Sequence, residues 1–278
     1  MSEPLLGPSR TELAPVEYLR SRGSFFAEFG ALTQDSGNVS YGVEVEGRRY
    51  FVKTAGPPEA AGSLPHDGRV ALLRNAVEVA RSLDHPALVP LRAVIESPHG
   101  PLLVYDWVDG ELLGVDRARR EDPATAHQRF RALPPRQIVA ALDAVYDLHA
   151  QLAGVGWVAA DFYDGALVYD FERRRIHAVD LDNYHRGPFT NAMGRMFGST
   201  RFMSPEEFQL GATIDERTTV FNLGRTAAVF LSDGTLERAL FRGVDAQHAV
   251  VVAACSPEPR DRCPSVAAFV SDWTAAGE

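Results

Sequence analysis

Cysteine is scarce in this sequence: Cys255 and Cys263 are the only two in 278 residues. They lie close together near the C-terminus with no metal-ligand spacing around them. Two reduced thiols in a cytoplasmic protein are therefore expected, rather than a disulfide framework or a zinc site. Long apolar runs are missing too. None reaches the roughly 18 residues that a membrane helix needs, and the opening MSEPLLGPSRTE lacks the basic start and apolar core of a signal peptide. No membrane partner is expected, and the expected location is the cytoplasm. Positive charge is in deficit. The 28 Lys and Arg residues stand against 37 Asp and Glu, a formal net charge of −9, which disfavours a general nucleic-acid-binding role. Short basic runs, RARR (117–120) and RRR (173–175), then read as solvated faces or turns.

What is present is an ordinary globular composition, 45% hydrophobic and 23% charged, in a chain long enough for one large domain or two lobes. There is no internal repeat, and the one biased stretch is AGPPEAAGSLPHDG (55–68). YGVEVEGRRYFVK (41–53) alternates as a hairpin turning at Glu46-Gly47. In RVALLRNAVEVARSLDHP (69–86) the apolar positions 73, 76, 77, 80 and 83 fall at helical spacing, and Pro86 follows the end of the predicted helix. Strands are expected at 87–97 and 101–108. From residue 134 the pattern is helical, with Ile138, Leu142, Val145, Leu148 and Leu152 on one stripe behind Pro134-Pro135. A loop is expected up to about 203, then helical segments, among them PEEFQL (205–210), ERTTVFNLGRTAAVFL (216–231) and VAAFVSDW (266–273). The expected fold class is α+β: a β-rich lobe with one main helix, then a helical lobe, with a cleft between.

Within this frame the stretch GWVAADFYDGALVYDFERRRIHAVDLDN (156–183) sets acids among apolar residues, where desolvation opposes their charge unless a partner is supplied. Asp170 and Glu172 read as exposed turn residues at FERRR, between two strands. Asp161 and Asp180 do not. Lys53, flanked by Phe51 and Val52, is the matching cation: a lysine can bond phosphate oxygens while a carboxylate holds the accompanying Mg²⁺.

The order of motifs resembles the protein kinase superfamily in its bacterial Ser/Thr form, over roughly residues 24 to 275. FVK looks like the strand-three lysine motif, LDHPALVPL (83–91) the segment after the C-helix, and LVYDWVDGELL (103–113) the hinge, with Tyr105 at the gatekeeper position. DLHAQLAGVGWVAAD (147–161) resembles the approach to the catalytic loop. VDLD (179–182) sits where DFG belongs, GSTRFMSPEEF (198–208) resembles the end of the activation segment, and PRDRCPSVAAF (259–269) its Arg-containing partner. The resemblance implies a tail (1–23), an N-lobe (24–105) and a C-lobe (106–278). It also implies ATP and Mg²⁺ as cofactors, with Lys53 on the α/β-phosphates and Gly37 and Val39 covering the nucleotide. Asp106 to Val108 would offer backbone groups to adenine, Asp161 would be the catalytic base and Asp180 a metal ligand. Glu206 would pair with Arg262.

The pattern breaks at the catalytic machinery. The Asn expected five residues after Asp161 is Ala166, the lysine two residues after it is Tyr163, and the preceding His-Arg is Ala159-Ala160. Leu181 and Asp182 replace Phe and Gly of DFG. The glycine loop is reduced to DSGNV (35–39), the acid that braces the catalytic loop is Thr219, and the C-helix glutamate falls on Ala76, with Glu78 and Asn75 rotated away. Residues i and i+2 of an extended segment share a face, so Asp182 beside Asp180 is the expected replacement metal ligand, with Asp164 as the alternative. The expectation is an ATP-dependent kinase acting on a Ser/Thr hydroxyl of an unidentified substrate. A nucleotide-binding pseudokinase and a small-molecule kinase of the aminoglycoside or choline type are the alternatives.

Overall fold

The computed structural model describes residues 5–30, 37–60 and 62–277. The chain divides into two units, Met1–Asp84 with Val89–Val108, and His85–Leu88 with Asp109–Glu278. In the first, helix α1 (Pro15–Arg22) leads into strands β1 (Ser24–Phe29), β2 (Val39–Val45) and β3 (Arg48–Thr54). Glu46 and Gly47 turn β2 into β3 with φ of 51° and 76°, the pair of positive angles that a two-residue I′ turn requires. Helix α2 (His66–Ser82) follows, then β4 (Leu91–Ser97) and β5 (Gly100–Asp106). The five strands form one antiparallel sheet in the order β1-β2-β3-β5-β4.

Strand alternation sorts the side chains of this sheet. Val43, Tyr50, Val52, Leu102 and Val104 enter one apolar cluster, which Leu5, Tyr18 and Leu19 complete. The segment read as a tail thus supplies part of the core. Leu103, between two of these residues, joins Ala55, Leu73, Ala76 and Val77 in a second cluster beneath α2. Helix α2 stops at Ser82 because Leu83 is extended (φ −158°, ψ 162°), and Pro86 disfavours helix for the residue before it. The Pro/Gly-rich stretch is wound around Arg69, which is 0% exposed. Its guanidinium donates to the carbonyls of Ala55, Pro57, Ala60 and Leu64 at 2.7 to 3.2 Å.

The second unit begins with β6 (Glu111–Leu112), α3 (Ala126–Arg131) and α4 (Pro135–Gly154). The five stripe residues of α4 are all buried. After it come β7 (Trp157–Val158), β8 (Leu167–Asp170), β9 (Arg175–Ala178), β10 (His185–Arg186), β11 (Phe189–Thr190) and β12 (Thr213–Ile214). Helices α5 (Glu216–Leu231), α6 (Asp245–Ala254) and α7 (Val266–Gly277) close the chain. The short segment His85–Leu88 is tied in here by His85 Nε2 to Asp147 (2.9 Å) and by the Ala178 amide, which donates to the Ala87 carbonyl (2.7 Å).

Two expectations change. PEEFQL is not an α-helix: only Pro205–Phe208 turns, as a 3-10 segment, and Gln209 is extended. Glu207 bends back to accept from the Ser204 amide and hydroxyl, a capping box that starts the turn. Asp170 is not an exposed turn residue. It is 6% exposed and accepts the amides of Glu172 and Arg173, so it builds the turn that Glu172 merely occupies. Helix α6 was not singled out, since its run of β-branched Val250 to Val252 carries no clear helical period. Both thiols are free. Among the described residues no helix is long and apolar enough to cross a membrane.

Candidate active site

Lys53 lies on β3, opposite Ser40 of β2 and Leu103 of β5, and is 7% exposed. It is the only lysine in the chain; every other residue in the Lys and Arg total of 28 is arginine. Burying an ammonium is costly, so both its burial and its chemical identity mark the position. The neighbouring position on α2 brings no carboxylate: Ala76 packs its methyl against Ala55 and Leu103, while Glu78 is exposed. Val39 stands in register with Thr54, whose hydroxyl donates to the Val39 carbonyl at 2.7 Å. Gly37 (φ 88°) precedes it; Asp35 and Ser36 of the same loop lie outside the described residues. Of the amides at 106–108, Asp106 donates to the Pro90 carbonyl and Trp107 to that of Arg49, each at 3.2 Å. The Asp106 carboxylate pairs with Arg92.

Four described non-glycine residues of the chain have positive φ: Glu46 and Arg174 belong to hairpin turns, in the first and second units respectively, and the other two are Asp161 (61°) and Asp180 (60°) of the second unit. The left-handed region costs an L-residue roughly 1–2 kcal/mol, least for Asp and Asn, and such strain collects at functional sites. Asn183 Nδ2 donates to Asp161 Oδ2 at 3.0 Å. Gly198 (φ 126°) brings the backbone of the GST segment close, and a Cβ there would meet Asp161 Oδ1 at 3.5 Å. Asp161 is half-buried and Asp180 exposed.

A buried aromatic frame holds this segment. His149 of α4 donates through Nδ1 to the Val145 carbonyl (2.7 Å) and accepts the Tyr184 hydroxyl at Nε2 (2.7 Å). Phe162 packs on the same imidazole at 4.4 Å. Burial, partly offset by the Val145 carbonyl, pushes His149 down to about 4, so it serves as a neutral strut with a fixed tautomer. Burial first, then the charges of Asp161 and Asp180, pushes the Tyr184 hydroxyl well above its ordinary value. Both acids therefore act on one buried phenol. His149, Asn183 and Tyr184 were not anticipated. The available signal was a histidine beside the apolar stripe of α4 and an Asn-Tyr pair directly after the acids.

The other two acids, Asp164 and Asp182, are both buried. The extended geometry expected for 180–182 is broken by the left-handed Asp180, and the two-residue alternation fails with it. Asp180 is exposed whereas Asp182 is 4% exposed. Asp164 is 3% exposed and accepts from Arg201 Nη1 at 3.0 Å, with His127 Nδ1 at 3.4 Å. It is neither solvent-facing nor open to a cation. Among the described residues, no three His, Cys, Asp or Glu side chains gather as a metal site.

Two braces tie the site to the helices behind it. Thr219 Oγ1 of α5 accepts the Ala159 amide at 3.1 Å, two residues before Asp161. The expected Glu206–Arg262 pair forms as a two-pronged ion pair, 2.6 and 2.9 Å, with Arg262 0% and Glu206 6% exposed. Compared with known proteins, the chain matches no family model and has no significant match among curated proteins.

Proposed function

We propose that this chain is a protein-kinase-like, ATP-binding phosphotransferase that delivers the γ-phosphoryl group to a Ser/Thr-type hydroxyl. The observation that carries the proposal is the pair of left-handed acids, Asp161 and Asp180, at the two positions where the motif order asks for a base and a metal ligand. Three further observations support it: a single, buried lysine on β3, a hydroxyl brace at Thr219, and the long-range Glu206–Arg262 pair. In this mechanism Lys53 bonds phosphate oxygens, and the Val108 amide serves adenine, because those of Asp106 and Trp107 are engaged. Asp161, oriented by Asn183, positions the substrate hydroxyl and accepts its proton. Mg²⁺ needs only one or two carboxylates when phosphates complete its shell, so the exposed Asp180 fits as its protein ligand, and the ion would neutralise charge on the β- and γ-phosphates. Asp164 has no part in metal binding, since Arg201 occupies it.

A second reading, a nucleotide-binding scaffold without transfer, is favoured by one observation: Ala166 offers no ligand, and Asp182 is buried rather than beside Asp180 on the exposed side. Calorimetric titration with ATP and with adenosine tests the shared core of both. Lys53→Ala should weaken ATP about tenfold or more, the loss of a charge-assisted contact, and leave adenosine unchanged. Equal loss for the two ligands, or none, contradicts the site.

A further inference from the structure

Away from these residues, Arg120, Arg131, Arg201 and Arg225 converge on a cavity of about 340 Å³, with the buried His127 in its wall. Lys53, Asp161 and Asp180 do not line it. The four arginines come from four places: a surface turn, the end of α3, the GSTRFM segment and the middle of α5. Three of them are held by hydrogen bonds. Arg131 donates to the Ser232 carbonyl (2.6 Å) and Arg225 to that of Arg201 (2.8 Å). Arg201 spans Asp164 and His127 Nε2, which accepts at 3.4 Å.

This arrangement leaves donors over. Nε of Arg120 and Nε of Arg131 are both buried, and neither has a hydrogen-bond partner among the described residues. A buried donor without an acceptor is costly, as is crowding of like charges. Burial above all lowers the Arg201 pKa; Asp164 opposes this, and the charges of Arg120 and Arg131 add to it. The carboxylates on the wall are Glu121 and Asp233, both exposed, and Thr235 and Ser232 donate to Asp233 Oδ1 within its own turn. Four guanidiniums in one cavity stand out in a chain of net charge −9.

We infer that the cavity is a binding site for a small phosphate monoester, whose oxygens accept from the guanidinium groups of the four arginines that line it. Guanidinium matches phosphate in geometry as well as charge. The volume lies at the lower end of the roughly 300–1,000 Å³ of small-molecule pockets, which suits a compact free molecule better than a phosphorylated side chain with its polypeptide. The site stands independently of the phosphotransfer proposal.

The full-length protein is titrated calorimetrically with glycerol 3-phosphate, inorganic phosphate and a short phosphothreonine peptide. Glycerol 3-phosphate should bind saturably and more tightly than the peptide. Arg120→Gln and Arg131→Gln should each weaken it about tenfold or more, with unchanged circular dichroism, whereas Lys53→Ala should leave it unaltered. Arg120 sits on a surface turn, so its variant decides if Arg131→Gln fails to fold. No saturable binding by the wild type, full binding in the arginine variants, or loss in Lys53→Ala would overturn the assignment. Tighter binding of the peptide would overturn the small-molecule class.

Discussion

Replacing Arg262 by methionine removes a guanidinium that makes five hydrogen bonds, two to Glu206 and one each to the carbonyls of Arg217, Ser256 and Pro257. The Glu206 carboxylate would keep only Thr218 as a side-chain donor, at 2.8 Å. Breaking a buried pair from one side costs about 3–5 kcal/mol, because the remaining charge is stranded. That is a large part of the roughly 5–15 kcal/mol that holds a domain together. The pH dependence carries a second signature. Burial pushes the Glu206 carboxyl up, but the Arg262 hydrogen bonds and charge, its own amide and Thr218 outweigh this and leave it below its ordinary 4.5. A depressed carboxyl contributes stability above its unfolded pKa and loses it as pH falls through the folded value. In Arg262→Met burial is opposed only by the Glu206 amide and Thr218, so the depression shrinks and the variant gains less stability from ionisation. Urea unfolding, followed by circular dichroism and tryptophan fluorescence, should give a large deficit at neutral pH that narrows below about pH 4.5. A deficit under ~1 kcal/mol, typical of an exposed pair, or one that ignores pH, would refute the reasoning.

Glu207 shifts the other way: burial raises its pKa against the Ser204 and Asn222 bonds, with the Glu206 charge adding to the rise. The wild type should therefore lose stability as pH climbs from 4.5 through that raised value, and Glu207→Gln should not; parallel urea midpoints would contradict this. Gly224→Ala puts a Cβ 2.7 Å from Ala254 Cβ. The overpacking cost of about 1–3 kcal/mol exceeds the roughly 1 kcal/mol gained in helix propensity, so the melting temperature should fall; an unchanged or higher value would refute the packing argument. Thr219→Val strands the Ala159 amide, for about 1–3 kcal/mol, and should speed its hydrogen exchange without altering that of β2 and β3. Unchanged protection at Ala159 would show that the hydroxyl is no brace.

Features written in local pattern were legible from the residues. Glu46-Gly47 specifies its turn by itself, the α4 stripe repeats at helical period, and alternation separates Leu103 from Leu102 and Val104. Features decided by distant partners were not. Nothing near Arg69 in sequence announces a buried guanidinium, because its four carbonyl partners matter only once the 55–64 segment has closed around it. PEEFQL reads as helix, yet only Pro205–Phe208 turns and Gln209 is extended. Asp180 and Asp182 read as one face until the backbone at Asp180 turns left-handed, a choice that side-chain spacing does not encode. Lys53 was legible as a lysine flanked by apolar residues, and the acidic segment of the proposed site through Asp161 and Asp180. Its supports, His149, Asn183 and Tyr184, are ordinary residues whose role comes from packing.

The most direct measurement is γ-phosphate release and transfer from labelled ATP by the pure full-length protein, with Mg²⁺ or Mn²⁺. The same measurement is made on Lys53→Ala, Asp161→Asn and Asp180→Asn. Asp180→Asn should remove the metal dependence of ATP binding, and Asp161→Asn should abolish transfer while ATP still binds. Wild-type turnover lost in all three variants is the expected result. No turnover in the wild type despite metal-dependent ATP binding would contradict the phosphotransferase and leave the scaffold, and no ATP binding at all would contradict both.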